Sequence, residues 1–242
     1  MDNEFIFGEQ FVADAPAFAA LMMAEANRMW ASEGWKPERR RGGVFVESKP
    51  VDGPFKGTGI LVMRSAGLVR AEPQVIFDFL VSPEGYAVLD PVSNPQDHKH
   101  PPLEVYDWLP GSRLEAALAT AKTPFSPPCE FVVLNAIHPC ERIFVSKSIL
   151  HPKRPGASKF YRVDADHPAA GVAAVNRALN TMAIRCDSAP GGTNLLCLNY
   201  VDMGLWNMPW LYNFINRNFF AMLYKRLKMR LKSREALYQT LT

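Results

Sequence analysis

The sequence predicts an α+β protein in which a large antiparallel sheet is combined with a long C-terminal helix. The chain between residues 44 and 201 is a series of short β-prone runs separated by turn residues. Only the ranges 14–33, 73–82 and 209–235 have the spacing of apolar residues that is typical of helices. Strands that follow one another without intervening helices favour an α+β arrangement over alternating β-α-β units.

The composition is that of a globular protein. Of the 242 residues, 48% are hydrophobic and 21% are charged, which argues against a disordered chain and against a membrane-spanning one. The net charge of +3 argues against a general nucleic-acid binder. The start, Met1-Asp2-Asn3-Glu4, lacks the basic then apolar layout of a signal peptide, so we expect a cytoplasmic location. The four cysteines have no CxxC spacing, so we expect reduced and mostly buried thiols.

The first 34 residues predict a terminal segment and one amphipathic helix that pack on the main domain. Asp14 suits the N-cap of this helix and Pro16 suits its first turn. The basic stretch 35–41 that follows is interpreted as a solvated connector. We therefore divide the chain into residues 1–34 and residues 35–242, which together form a single domain.

Ten candidate strands fill the middle of the chain. A short helix that opens at Pro73 and a proline-rich loop over residues 91–102 follow the first three strands. The alanine-rich range 165–180 fits either a loop or a helical turn. The candidate strands are 44–47, 57–63, 67–70, 103–106, 113–121, 129–137, 142–150, 160–164, 181–186 and 195–201.

The last helix is predicted to be long and to carry an apolar face. From Pro209 the sequence predicts about 25 to 30 helical residues, against a mean of about 12 for globular proteins. Apolar residues recur at steps of three and four, and the face that they form needs a covering surface. Asn218 interrupts this face and is a candidate to hydrogen-bond a bound molecule. The face consists of Leu211, Phe214, Ile215, Asn218 and Met222.

Aromatic residues crowd the start of this helix, whereas cations fill its second half. Trp206 and Trp210 are amphipathic rings of the kind that occur at membrane surfaces. Cations near a helix C-terminus also oppose the helix dipole, so the pattern has an ordinary structural interpretation too. We expect transient contact with a membrane surface.

No motif of a known catalytic or cofactor site occurs in the sequence. The chain has no GxSxG, HExxH, P-loop or GxGxxG motif. The spacing of His98 and His100 fits a metal only if further ligands join them, and exposed loop histidines are much more common. Catalysis by Cys129 or Cys140 with a histidine stays formally open. We expect no enzyme activity, no metal and no cofactor.

Several stretches, in the same order along the chain, resemble the START (StAR-related lipid transfer) domain family. The resemblance covers residues 35–235 and depends on the order and spacing of motifs that are weak individually. It includes the family's His-Pro loop, its closing strand with an Asp-Gly hinge, and the proline that opens its last helix. The matching stretches are Leu89-Asp90, Cys129-Glu130-Phe131-Val132, Ser146-Lys147-Ser148-Ile149, His151-Pro152, Tyr161-Arg162-Val163, Tyr200-Val201-Asp202, Gly204 and Met208-Pro209.

This resemblance implies a helix-grip fold, in which a curved antiparallel sheet of about nine strands wraps around the long C-terminal helix. A single lipid, a sterol or a phospholipid, is implied to lie in a hydrophobic tunnel between sheet and helix. The implied function is to bind this lipid and transfer it between membranes. The expected partners are the lipid and, transiently, a membrane surface, and we expect a monomer that binds no nucleic acid.

The resemblance also implies which strand residues face the tunnel. The family has an arginine where this chain has Cys129, so Glu115 needs another partner, and Arg113 and Lys147 are the candidates. The missing arginine shifts the interpretation towards a sterol or another weakly polar lipid, without excluding a phospholipid. With strand alternation, the tunnel-facing residues are Arg113, Glu115, Cys129, Phe131, Val133 and Asn135.

A tunnel that buries a lipid must open to load it. The candidate moving parts are the loop that carries Lys153 and Arg154 and the hinge at Gly204, beside Trp206 and Trp210. Basic residues near an anionic membrane surface contribute about 1 kcal/mol each to binding. A solvated loop explains the two cations equally well.

Two other functions are compatible with the sequence. The wider helix-grip superfamily includes cyclases and hydrolases, and a perturbed acid at Glu115 beside a histidine would favour an enzyme. A peripheral membrane adaptor would use the basic helix end and the aromatic hinge without extracting lipid. Liposome binding without lipid uptake would favour the adaptor.

Overall fold

An eleven-stranded sheet with helices on both of its faces forms the protein. The computed structural model describes residues 12–41, 43–50, 59–85, 101–121, 129–153, 160–161, 175–202 and 209–241. In chain order the elements are α1 (Ala15–Ala31), β1 (Lys36–Arg41), β2 (Val44–Pro50), β3 (Leu61–Val69), α2 (Pro73–Leu80), β4 (Glu104–Tyr106), β5 (Arg113–Ala121), β6 (Cys129–His138), β7 (Ile143–Ser148), β8 (Phe160–Tyr161), β9 (Val175–Arg177), β10 (Leu179–Ala189), β11 (Gly192–Asp202) and α3 (Pro209–Leu241).

The main path of the sheet is antiparallel and contains nine strands in the order β1-β2-β3-β11-β10-β7-β6-β5-β4. β9 lies off this path and pairs in parallel with the start of β6. Pro190 and Gly191 join β10 to β11 in a two-residue turn, and Gly191 has a φ of 81°, which glycine adopts without strain. The predicted fold class and strand number are confirmed.

α1 packs on one face of the sheet, called here the outer face. The Asp14 side chain accepts a hydrogen bond from the Ala17 amide at 3.0 Å, which confirms the predicted N-cap. The buried side of α1 includes Phe18 and Met22, and it packs on outer-face residues of β5, β6, β7 and β10. At the end of the helix the guanidinium of Arg185 lies 4.9 Å from the centre of the Trp30 ring.

α2 and α3 pack on the opposite face, called here the inner face. α2 contacts β10 and β11, whereas α3 contacts β1, β2, β3 and β11. Tyr224 of α3 reaches the sheet, where its hydroxyl donates to the Leu195 carbonyl at 2.6 Å. Its ring lies over Gly67, and a Cβ at that position would come within 2.7 Å of the ring. The missing side chain at residue 67 therefore lets the long helix approach the sheet closely.

Three sequence predictions need correction. The stretch 35–41 is not a connector, because residues 36–41 form the edge strand β1, and charged side chains are typical of edge strands. The candidate strands 57–63 and 67–70 are one strand, β3, because Gly67 continues the ladder beneath Tyr224. The range 165–180 contains the short strand β9 and the start of β10.

Candidate binding site on the inner face

One row of side chains crosses the inner face of the sheet from β2 to β5. Residues directly opposite each other in an antiparallel ladder project from the same face. With strands about 4.8 Å apart, the row covers about 14 Å between β11 and β6. We call these residues the cross-strand row, and the strand registers connect Ser48, Met63, Asn199, Met182, Ser146, Asn135 and Glu115 in that order.

Neutral polar groups on both sides of Met182 in the middle of the cross-strand row hold unused hydrogen-bonding capacity. Asn135 and Ser146 are opposite each other on β6 and β7 and both are buried. Within the described residues, neither side chain has a hydrogen-bond partner. A molecule placed on this part of the inner face would therefore find both donors and acceptors.

Asn199 of the row lies beside Asn216, which α3 directs towards the sheet. The Asn199 amide nitrogen donates to the Asn216 side-chain oxygen at 3.3 Å. The two residues are only 3% and 5% exposed. Their remaining polar atoms, Asn199 Oδ1 and Asn216 Nδ2, have no partner in the described part of the chain. Such a buried atom costs about 1–3 kcal/mol when nothing binds it.

Charged side chains occur at the two ends of the cross-strand row, and each faces an opposite charge. At the β5 end, Arg113 Nε lies 3.6 Å from Glu115 Oε2. At the β2 end, Glu38 accepts from the Ser48 hydroxyl at 2.7 Å and pairs with Arg217 at 2.6 Å. The sequence offers Arg113 and Lys147 as partners for Glu115, and the geometry favours Arg113. Lys147 alternates with inner-face residues along β7 and so projects from the outer face.

An apolar zone continues the inner face next to the cross-strand row. Cys129, Phe131 and Val133 are buried together with Ala178, and Ala117 packs against them. The register of β5 and β6 sets Glu115 opposite Asn135 and Ala117 opposite Val133. The six strand residues predicted to face a tunnel therefore lie on one face of the sheet, and their contact with a ligand stays a prediction.

The helix residues predicted to line the tunnel lie on partly or largely exposed sides of α3, and their contact with a ligand stays a prediction. Phe214, Ile215 and Met222 are 58%, 40% and 41% exposed, respectively. Leu211 and Asn218 are partly exposed, and the Asn218 amide donates to the Phe214 carbonyl of its own helix at 2.9 Å. The side that packs on the sheet instead carries Tyr212, Asn216, Phe220, Leu223, Tyr224 and Leu227.

The sequence of α3 explains why periodicity alone does not identify the side that packs on the sheet. Apolar side chains occur all round the first half of α3, so steps of three and four fit two opposite faces equally well. The series 212, 216, 220 and 224, four residues apart, marked the buried face and also contained Asn216. Strand alternation could have identified Asn199 in the same way, because it follows Leu195 and Cys197 at alternate positions on one face of the strand.

Of the predicted membrane and gate residues, the structure describes Lys153 and Trp210. The Lys153 ammonium donates to the Leu103 carbonyl at 2.6 Å, which ties this loop to the start of β4. His151, two residues earlier, bonds to Glu104 of β4 at 3.1 Å. Trp210 is exposed at the start of α3. The other predicted members, Arg154, Gly204 and Trp206, lie outside the described residues, as do His98 and His100.

The buried thiol of Cys197, on the same strand as Asn199, is protonated at neutral pH. Cys197 lies two residues before Asn199, and burial raises its pKa from 9.0 to about 12. Burial also raises the pKa of Tyr224 well above its usual value. Both groups are therefore uncharged members of the core. In the described ranges, His, Cys, Asp and Glu side chains do not form a group of three or more that would hold a metal ion.

A groove of about 330 Å³ lies on the outer face of the sheet. Its two cations already have partners: Arg64 bonds to Glu47 at 2.7 Å, and Arg185 bonds to Asn27 at 2.7 Å. Arg64 also donates to the Trp30 carbonyl at 2.6 Å. These contacts hold the end of α1 on the sheet, so the groove is best explained as part of that docking.

Solved structures with this fold include lipid-transfer domains. The lipid transfer and protein localization domain of human StarD13 has a TM-score of 0.54 at 13% identity, over 86% of this chain and 94% of that chain. Human STARD10 has a TM-score of 0.55 at 18% identity, over 90% and 82%. A STAR-related lipid transfer protein fragment from Xanthomonas axonopodis has a TM-score of 0.51 at 11% identity, over 83% and 99%.

These likenesses establish a START-like helix-grip fold. At identities of 11–18% they establish the fold alone. No protein-family model matches the chain, and no curated protein matches its sequence.

Proposed function

We propose that the protein is a non-enzymatic carrier that binds one lipid on the inner face of its sheet and transfers it between membranes. The observation that carries this proposal is the chemistry of the inner face. An apolar zone on β5 and β6 lies beside a row that contains neutral polar groups, and α3 contacts this row at Asn199. Ligand pockets have this composition, mostly apolar with a few polar groups that orient the ligand.

The apolar zone offers the contacts that a hydrocarbon chain or ring system needs. Phe131 and Val133 with Ala117 form a continuous apolar surface across β5 and β6. Each CH₂ group that leaves water for such a surface contributes about 0.8 kcal/mol to binding. A ligand with a long chain therefore binds tightly without a covalent step.

The exposed side of α3 supports loading at a membrane surface. Among the described helices, none combines the length and the hydrophobicity that crossing a membrane requires. Trp210, Phe214 and Met222 nevertheless expose large apolar side chains along one helix. The same helix continues with Lys225, Arg226, Lys228 and Arg230. Apolar side chains followed by cations suit contact with an anionic membrane, and we place this contact at the cytoplasmic leaflet.

One alternative is favoured by that exposed side alone. A peripheral adaptor would attach to membranes through α3 and would extract no lipid. It differs from a carrier in one measurable property, which is the amount of lipid that leaves the vesicle with the protein.

Lipid capture tests the proposal directly. The purified chain is incubated with mixed liposomes and re-isolated, and its bound lipid is extracted and identified by mass spectrometry. A carrier holds close to one lipid per chain. Protein that sediments with liposomes but returns without lipid is an adaptor, and this result would contradict the proposal.

A variant with a larger side chain on the inner face tests where the lipid binds. Ala117→Phe adds a large ring opposite Val133. Overpacking costs about 1–3 kcal/mol, so captured lipid should fall by about tenfold. Ala17→Phe makes the same substitution at an exposed position of α1 and should capture lipid like the native chain. Equal capture by both variants would place the ligand elsewhere.

A further inference from the structure

We propose that the amide pair Asn199–Asn216 binds the polar end of the lipid, and that this lipid is uncharged and carries a hydroxyl or an amide group. This inference rests on the proposed function and names its ligand class. The ligand would have its polar end between β11 and α3, and its apolar part would lie over the apolar zone of β6 and β5, beside the cross-strand row.

The first argument is the unused hydrogen-bonding capacity of the pair. Both residues are more than nine-tenths buried, and one bond of 3.3 Å joins them. Among the described residues, Asn199 Oδ1 and Asn216 Nδ2 have no partner. Exchanging oxygen and nitrogen in both amides would reverse the bond and again leave one donor and one acceptor. The pair therefore presents one donor and one acceptor in either orientation.

This combination selects for a particular chemical group. A hydroxyl or an amide accepts from the free donor and donates to the free acceptor at the same time. A phosphate or a carboxylate has only acceptors, so it would face the free amide oxygen without a hydrogen bond. A quaternary ammonium group has no donor at all.

The charge distribution around the amide pair also favours an uncharged lipid. Between Asn199 and Asn135, the cross-strand row contains only Met182 and Ser146, which are uncharged. The adjacent inner-face residues Ser148 and Val133 are uncharged too. A buried phosphate needs cationic donors, because burying an unpaired charge is very unfavourable.

The cations at the ends of the row each have an acidic partner, and among the described residues Arg217 Nε has no hydrogen bond. Arg113 pairs with Glu115 at 3.6 Å, and Arg217 pairs with Glu38 at 2.6 Å. Both ends are thus neutral ion pairs. Amide and hydroxyl groups therefore lie in the middle of the row, and the charges at each of its two ends balance each other.

A competition experiment tests the ligand class. The full chain is incubated with vesicles that contain equal amounts of phosphatidylcholine, phosphatidylserine, cholesterol, ceramide and diacylglycerol. The protein is re-isolated and its lipid is quantified by mass spectrometry. We expect the uncharged lipids to be enriched over the two phospholipids by about tenfold or more, which corresponds to one or two hydrogen bonds.

Variants of the pair test its role. Asn199→Leu with Asn216→Leu removes both amides and should reduce capture of the enriched lipid by about tenfold, the loss of one to two hydrogen bonds. The fold should persist, because replacing both partners of a buried hydrogen bond by apolar groups is close to neutral, and circular dichroism checks this. Asn194→Leu is the matched control, because Asn194 is on the outer face of β11, and it should capture lipid like the native chain.

The outcomes separate this inference from the proposed function. Capture of phospholipid in preference to uncharged lipid overturns the inference and leaves the carrier function intact. Unchanged capture of uncharged lipid by the folded double variant also overturns it, because the amides would then hold only water. Capture of no lipid by the native chain contradicts the carrier function, and the inference falls with it.

Discussion

Glu130 and Arg177 form an ion pair in the interior of the protein. Arg177 Nη1 donates to Glu130 Oε1 at 2.7 Å, and Nη2 of the same guanidinium donates to the Ile149 carbonyl at 3.2 Å. Both side chains are buried. The pair joins β9 to β6, where their parallel register sets the two residues opposite each other. The short strand β9 is thus attached to the sheet by charge as well as by its ladder.

Removing one partner of this pair should destabilise the fold strongly. Arg177→Met removes the guanidinium that pairs with the buried Glu130 carboxylate, and breaking a buried ion pair by removing one partner costs about 3–5 kcal/mol of the free energy of unfolding. Urea unfolding measures this loss. Arg70→Met, at an exposed position, should leave the unfolding midpoint unchanged. A similar midpoint for both variants would mean that the pair contributes little.

The buried thiol of Cys197 predicts how stability depends on alkaline pH. Burial raises its pKa from 9.0 to about 12 in the folded chain. Above pH 9 the unfolded chain loses this proton first, so the unfolded state is stabilised. The free energy of unfolding should therefore be at its full value below about pH 9 and should fall by about 1.4 kcal/mol per pH unit as pH rises towards 12.

A substitution isolates the contribution of this thiol. Cys197→Ala removes the titrating group, so the alkaline loss of stability should be smaller than in the native chain. Cys140→Ala changes an exposed thiol and should keep the native dependence. Urea unfolding at pH 7.5, 9 and 10.5 compares the three proteins. Parallel curves for native chain and Cys197→Ala would show that this thiol does not govern the effect.

At the scale of elements, the docking of α3 on β3 depends on a close approach. The Tyr224 ring occupies the space that a side chain at residue 67 would need, and its hydroxyl is bonded to the Leu195 carbonyl at 2.6 Å. Near its start, α3 is held by Asn213, whose side chain accepts from the Leu61 amide and donates to the Gly59 carbonyl, each at 2.9 Å. Two contacts about three turns apart therefore set the angle of the helix.

Gly67→Ala should weaken this docking. The added Cβ would lie 2.7 Å from the Tyr224 ring, so ring and helix must shift, at a cost of about 1–3 kcal/mol. Thermal unfolding of the single variant measures this cost. In a Tyr224→Leu background the same alanine should cost clearly less, because the ring is absent. Additive effects of the two substitutions would show that the ring is not the obstacle.

At the scale of the whole molecule, the helices divide the two faces of the sheet into different environments. α1 packs on the outer face and forms an apolar core with it, whereas α2 and α3 pack on β1, β2, β3, β10 and β11 of the inner face. The inner face of β5 and β6 extends beyond those strands and carries the apolar zone. The exposed side of α3 points away from the sheet. The same part of this helix therefore carries Asn216, which bonds to Asn199 on the buried side, and the apolar residues Trp210 and Phe214 on the exposed side.

The exposed side of α3 should govern membrane binding. A variant that combines Trp210→Gln, Phe214→Gln and Met222→Gln should reduce sedimentation with anionic vesicles by at least about tenfold, since each buried apolar side chain contributes about 1.5–3 kcal/mol. Its thermal midpoint should stay native, because these residues are exposed. The matched control changes Leu21, Val75 and Val105 to Gln, because these apolar residues are exposed on other elements. Equal losses in both proteins would indicate non-specific adhesion.

Much of the molecule follows from its sequence because the signals are local. Asp14 and Pro16 specify the start of α1, Pro209 specifies the start of α3, and alternation along β6 sets its residues on defined faces. The α+β class and the shared face of Glu115 and Asn135 were therefore predictable.

The helix side of the site was decided only by tertiary structure. Apolar residues surround the first half of α3, so periodicity alone leaves two faces equivalent, and the sheet selects the one that fits Tyr224 over Gly67. That selection turns Phe214 outwards and brings Asn216 to within 3.3 Å of Asn199, seventeen residues earlier. Local pattern determined which elements form and which residues alternate along them. Packing determined which helix face meets the sheet, because that choice depends on the shape of both surfaces together.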